Sequence, residues 1–75
     1  MNIISQRLKE ARKKHDPPLT MEALAHRIEE LEGIGITLSM ITKIEAGLRG
    51  VYDYEVAAFA RAMNVDANWL LGLVN

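Results

Sequence analysis

Apolar residues return at a helical interval along most of this chain, and no stretch alternates as a half-buried strand would. Ile4, Leu8 and Ala11 stand at i, i+4 and i+7, as do Leu24, Ile28 and Leu31, so each set falls on one face of a helix. Ile41 and Ile44 form a narrower stripe, and Val56, Phe59, Ala60 and Met63 form another. The chain has 75 residues, room for one domain spanning residues 1–75. A domain this short buries only about 60% of the surface its unfolded chain exposes, so its apolar stripes must be used efficiently. The pattern predicts an all-α fold of five short helices.

Caps and breakers set the expected boundaries. A first helix from about Ile3 to Lys14 ends at Asp16-Pro17-Pro18, because proline lacks the amide and disfavours helix in its predecessor. Thr20 is placed to cap a second helix from Met21 to Glu30 or Glu32, which Gly33-Ile34-Gly35-Ile36 interrupts. Thr37 caps a third, Leu38 to about Ala46, which Gly47 closes, and Gly50 keeps the next loop turning. Asp53 is expected to cap a fourth helix, Tyr54 to Met63. Asp66 opens a fifth, Ala67 to about Leu73, that returns Trp69, Leu70 and Leu73 to the core.

Composition narrows the chemistry. The chain has no cysteine, which excludes disulfides and thiolate zinc sites. His15 and His26 are too few for a metal cage and read as solvent-facing or half-buried, and no cofactor is expected. No run reaches the ~18–20 apolar residues of a membrane span. Charges at positions 7, 9, 10, 12, 13 and 14 break any signal-peptide core, so a cytoplasmic location is expected. Ser5 and Ser39 lack a His/Asp arrangement, no glycine-rich nucleotide loop follows a strand, and Asp53 and Glu55 read as a cap and a first-turn acid. Neither an enzyme nor a small-molecule substrate is expected.

The net charge of −1 is unevenly spread. Residues 1–15 hold Arg7, Lys9, Arg12, Lys13 and Lys14 against Glu10, whereas the remainder holds Arg27, Lys43, Arg49 and Arg61 against nine acids. A weakly acidic protein can still turn one basic face to phosphates, although a Lys/Arg run on a helix is as readily an ordinary solvated face. Residues 20–47 read cap, helix, glycine turn, cap, short helix, glycine. Two helices joined by a short glycine-containing turn make a helix-turn-helix, whose second helix enters the major groove of double-stranded DNA.

Several segments carry a family resemblance. Arg7-Leu8-Lys9-Glu10-Ala11-Arg12 and Leu19-Thr20-Met21-Glu22-Ala23-Leu24-Ala25 resemble the opening of Cro/repressor-type (XRE-like) helix-turn-helix domains. Ile41-Thr42-Lys43-Ile44-Glu45-Ala46-Gly47 is similar to the end of their recognition helix, and Val65 with Trp69-Leu70-Leu71-Gly72 to their closing helix. The resemblance covers nearly the whole chain. It implies a five-helix, lambda-repressor-like domain that binds operators as a homodimer and represses transcription, in a prokaryote or a phage.

Carried over position by position, the resemblance assigns Leu38, Ser39, Thr42 and Lys43 to base contacts, with Ile41 and Ile44 turned inward. Lys43 has the donor for guanine O6 and N7, and Leu38 the apolar surface for a thymine methyl. Thr20, Met21, Thr37 and Arg49 fall at phosphate-contact positions, and Arg12 and Glu45 at an ion pair between the first and third helices. The chain departs from the family twice. Met21 stands where the family commonly has a phosphate-contacting glutamine. Residues Glu29 to Ile34 lengthen the helix-and-turn spacing by about six residues relative to the usual short turn, a form some members share together with a Val-x-Asp-Tyr-Glu segment, here Val51 to Glu55. Glu29, Glu30 and Glu32 are expected to face solvent.

The competing expectation is a protein-interaction module that kept the fold and lost DNA reading. It draws on the net acidity, on Met21, and on Leu38 and Met40 in the recognition helix. The closing helix with Trp69, Leu70, Leu73 and Val74 is expected to be needed only in part for the core, and any excess apolar surface there would form a self-complementary patch.

Overall fold

The computed structural model describes residues 2–75, which form five helices: α1 (Ile3–Lys14), α2 (Met21–Glu32), α3 (Leu38–Glu45), α4 (Asp53–Met63) and α5 (Ala67–Leu70). No strand occurs among the described residues. The helix starts follow side-chain chemistry. Thr20 Oγ1 accepts from Ala23 N at 3.0 Å, Thr37 Oγ1 from Met40 N at 3.2 Å, and Asp66 Oδ1 from Asn68 N at 2.8 Å. Asn2, which periodicity does not flag, caps α1 by accepting from both the amide and the hydroxyl of Ser5.

The α4 start differs from expectation. Tyr52, not Asp53, is the capping residue, and Asp53 is the first helical residue, its carboxylate accepting from Tyr54 N at 2.7 Å. Tyr52 caps with its backbone, and the carboxylate of Glu55, three residues on, accepts the Tyr52 amide at 3.0 Å. That is the reciprocal half of a capping box.

The helix ends are equally local. Gly47, at φ 76°, closes α3: its amide reaches Ile44 O at 3.0 Å and the Leu48 amide reaches Lys43 O at 2.8 Å. This paired closure needs a left-handed residue, which glycine adopts without the Cβ penalty. Gly72, at φ 78°, ends α5 in the same way, with its amide on Trp69 O and the Leu73 amide on Asn68 O. The last helix is therefore one turn long rather than running to Leu73, and Leu73 is turned out to solvent, 70% exposed.

The core gathers Leu8, Leu24, Ile28, Ile41, Ile44, Phe59 and Leu70, all fully buried, around α4, whose Ala58 and Ala62 let neighbours approach closely. α1 packs on α3, α4 and α5, and α2 on α3 and α4. The expected inner face of α4 (Val56, Phe59, Ala60, Met63) is buried throughout. Leu31 breaks its stripe, being 57% exposed. The last turn of α2 runs past the cover of its neighbours, leaving Glu29 and Glu30 in solvent too. Glu32 turns back instead: it accepts from Arg61 of α4 at 2.6–3.0 Å, which corrects its expected solvent-facing position. Trp69 is half-buried rather than fully in the core. No described helix is long and apolar enough to cross a membrane.

Candidate functional site

The α2–turn–α3 segment is built from two capped helices and a five-residue connection, residues 33–37, opened by Gly33 in the left-handed region at φ 68°. Ile41 and Ile44 are fully buried and anchor α3 to the core. A helix anchored on those two residues turns its other faces outward. Leu38, Ser39, Thr42 and Lys43 are all exposed, and Thr20 and Thr37 are exposed at the two helix starts. The four residues carried over as base contacts thus share one accessible surface.

Their chemistry is not equally free. The Thr42 hydroxyl donates back to Leu38 O at 2.9 Å and lies 3.4 Å from the Met21 sulfur, so it meets a ligand as an acceptor. Lys43 makes no hydrogen bond or ion pair among the described residues, which leaves its three donors available. Ser39 is exposed. Met21 is half-buried against the core, and its sulfur lies beside the Thr42 hydroxyl at the α3 surface. Met40, also half-buried, turns its sulfur to the Thr37 amide at 3.5 Å, a weak return contact where a capping box would have a carboxylate.

Behind this surface lies the Arg12–Glu45 pair. Arg12 Nε donates to Glu45 Oε2 at 2.7 Å, Nη2 to Oε1 at 2.9 Å, and Nη1 to Leu19 O at 2.9 Å. The two side chains are 10% and 4% exposed. The fork-to-carboxylate geometry ties the end of α1 to the last residue of α3 and to the loop before α2. Glu45's hydrogen bond raises the pKa of Arg12 against the opposing effect of burial.

Arg49 departs from its assigned role. Its Nη1 and Nη2 donate to the two carboxylate oxygens of Glu55, each at 3.0 Å, and Nη1 also donates to Gly50 O at 2.9 Å. Its guanidinium lies over the Tyr52 ring at 5.8 Å. A cation held by a buried carboxylate brings little net charge to a phosphate, so Arg49 is a loop clamp. Glu55 is therefore more than a first-turn acid: it is 2% exposed and accepts three hydrogen bonds. Arg49's hydrogen bonds hold its pKa below the ordinary carboxylate value, against desolvation, with the Tyr52 amide adding to the effect.

The same accounting changes the picture of the basic first helix. Arg7 donates to Trp69 O and Val74 O and stacks over the Trp69 ring at 5.1 Å. Lys14 pairs with Glu10 at 3.0 Å, Arg27 donates to Ala62 O, and Arg61 holds Glu32, lowering that acid's pKa. Of nine Lys and Arg, only Lys9, Lys13 and Lys43 have no partner among the described residues. Glu22 adds an exposed acid in the first turn of α2.

Ser5 is fully buried, with its hydroxyl spent on Asn2. His15 is half-buried, with Nδ1 2.9 Å from Pro17 O, and His26 is exposed, 3.6 Å from Glu30. Among the described residues no group of three or more His, Cys, Asp or Glu converges as metal ligands would. No family model, curated protein or solved structure matches this chain. The class defined here is a five-helix all-α domain, and the resemblance rests on the residues that carry it.

Proposed function

We propose that this chain is a sequence-specific DNA-binding regulator of the XRE-like helix-turn-helix type, with α3 as the recognition helix and α2 braced behind it. The observation that carries the reading is the sidedness of α3. Ile41 and Ile44 are fully buried, whereas Leu38, Ser39, Thr42 and Lys43, a set able to meet base edges and a thymine methyl, are exposed together. Thr37 fixes the helix start, and its exposed N-terminal turn adds amide donors and partial positive charge on the same side. In this reading Lys43 reads a base, Thr20 and Thr37 meet phosphates through hydroxyl or amide, and Arg12–Glu45 holds α3 at its angle. Bound as a dimer, it would read half-sites about 34–36 Å apart on a near-palindromic operator.

Selection from a random duplex pool at low ionic strength tests the proposal. Enrichment of a palindromic motif, lost with Lys43→Ala at one base position per half-site, is the expected result. Failure of every duplex to bind even at low salt would reject it.

A second reading is a protein-interaction module on the same fold. It is favoured by the commitment of six of the nine basic side chains to internal partners and by Leu38, 47% exposed at the start of α3. Protein capture that Leu38→Asp abolishes, with duplex DNA unable to compete, is the outcome that separates it from the first.

A further inference from the structure

Two methionine sulfurs flank the exposed face of α3, and each touches a threonine of that face. Met40 Sδ lies 3.5 Å from the Thr37 amide, and Met21 Sδ lies 3.4 Å from the Thr42 hydroxyl. Both methionines are half-buried with their side chains against the core, whereas Met63 is 3% exposed. The chain has no cysteine, so its sulfur redox chemistry falls to thioethers.

Met40 stands in a position that normally holds an oxygen acceptor. It is the third residue of α3, where a capping box carries glutamate or glutamine to accept the amide of the capping residue. Thioether sulfur is a weak acceptor, and the Thr37 amide has no other acceptor among the described residues. A sulfoxide at Met40 replaces the sulfur contact with a strong oxygen acceptor. The flexible side chain can turn that oxygen to the amide in either sulfoxide epimer, and Met40 then does what glutamine does in a capping box. At Met21 a sulfoxide oxygen offers the Thr42 hydroxyl an alternative to Leu38 O, which it reaches at 2.9 Å. Oxidation of the pair thus resets the hydrogen bonds of two threonines at the α3 face without touching the buried Ile41 and Ile44.

We propose that Met21 and Met40 are oxidation sites through which a peroxide alters the exposed face of α3. Each step moves two electrons: a sulfur lone pair attacks one peroxide oxygen, an S–O bond forms and the O–O bond breaks. The departing hydroxide takes the proton of the transferred oxygen and leaves as water, so the thioether is oxidised and the peroxide reduced. Sulfoxide oxygens carry partial negative charge and oppose phosphates at that face, so oxidation weakens duplex binding. That consequence rests on the DNA reading; the oxidation sites themselves do not.

Hydrogen peroxide treatment of the full chain followed by peptide mapping tests the sites. Met21 and Met40 should oxidise at least about tenfold faster than Met63, which must wait for local opening. Amide hydrogen exchange at Thr37 should then slow by about three- to tenfold, the effect of one net hydrogen bond of ordinary strength. Met40→Gln should reproduce that slowing without peroxide, and methionine sulfoxide reductase should reverse it in the oxidised wild type. Oxidation of Met63 at the same rate, or a Thr37 amide unmoved by oxidation, would overturn the proposal. On an operator obtained by selection, peroxide should weaken binding of the wild type. It should leave Met21→Leu/Met40→Leu, which keeps the side-chain volume, at whatever affinity that variant starts from. Unchanged binding by the oxidised wild type, or equal weakening of both proteins, would overturn the regulatory role. Sulfoxides at Met21 and Met40 with a slowed Thr37 amide, in a protein that binds no duplex, would reject the DNA reading alone.

Discussion

Arg12 and Glu45 join α1 to the end of α3 through two hydrogen bonds, 2.7 and 2.9 Å long, with both side chains nearly out of solvent. Residues 33 apart in sequence thereby set the position of the helix whose exposed face carries the proposed function. A buried pair of this kind adds little net stability compared with apolar residues of the same volume, but leaving one member behind is costly. Glu45→Ala strands the Arg12 guanidinium and should destabilise the fold by about 3–5 kcal/mol. The double replacement Arg12→Met/Glu45→Leu should recover most of that loss. Urea denaturation of the two single variants and the double variant measures the coupling; additive losses would show that the two side chains act independently.

Arg49 and Glu55 give a pH-dependent counterpart. The Glu55 carboxylate is held below its ordinary value of 4.5, so its ionised form favours the folded state. That contribution is fully present above pH 4.5 and is lost as pH falls through the lowered folded-state value. Glu55→Gln should therefore destabilise the protein by about 1–3 kcal/mol at neutral pH, the cost of removing a buried, charge-assisted acceptor. The gap to wild type should narrow toward zero in acid. A gap that stays constant from pH 7 to pH 3 would place the effect in packing instead of charge.

Much of this was legible in the sequence, for physical reasons that also explain the gaps. The stripes Ile4–Leu8–Ala11 and Ile41–Ile44 and the threonine caps encode local structure, and α1 and α2 lie within the residues that pattern indicates. Leu31 and Leu73 misled because period alone does not reveal where neighbouring helices stop providing cover or where a glycine ends a helix. The exposed set on α3 follows from its buried pair. The fate of the arginines does not. Whether Arg7, Arg27, Arg49 and Arg61 face a phosphate, a carbonyl or a carboxylate depends on which tertiary partner reaches them first, and the spacing of Arg49 and Glu55 across a loop carries no periodic signal.

The glycines provide a matched comparison. Gly72 combines a φ of 78° with Ile3 3.0 Å from any added Cβ, whereas Gly35 has neither a left-handed φ nor an atom within 4 Å. Gly72→Ala should cost about 1–3 kcal/mol, from backbone strain and displacement of Ile3. Gly35→Ala should be neutral or stabilise by up to about 1 kcal/mol through the unfolded chain. Thermal melts of the two variants decide the point, and equal shifts would mean that the Gly72 closure of α5 is not under the constraint described.

The final prediction concerns the size of the electrostatic contribution to DNA binding. A protein that neutralises Z phosphates shows a slope of log K against log salt of about −0.9Z. The nine basic residues would suggest a steep slope, but most are engaged by internal carboxylates or carbonyls, and only Lys9, Lys13 and Lys43 have no partner among the described residues. If Lys43 reads a base, the slope per protomer should be no steeper than about −2, and if it meets a phosphate, about −3. Lys43→Ala separates the two: loss of about 1–3 kcal/mol at one base with an unchanged slope marks base reading, whereas a uniform loss on all sequences with the slope reduced by about 1 marks a phosphate contact. A slope of −6 or steeper per protomer, measured by fluorescence anisotropy over a salt series, would mean that Arg49 and the other tethered arginines release their partners on binding, contrary to the clamp role assigned to them here.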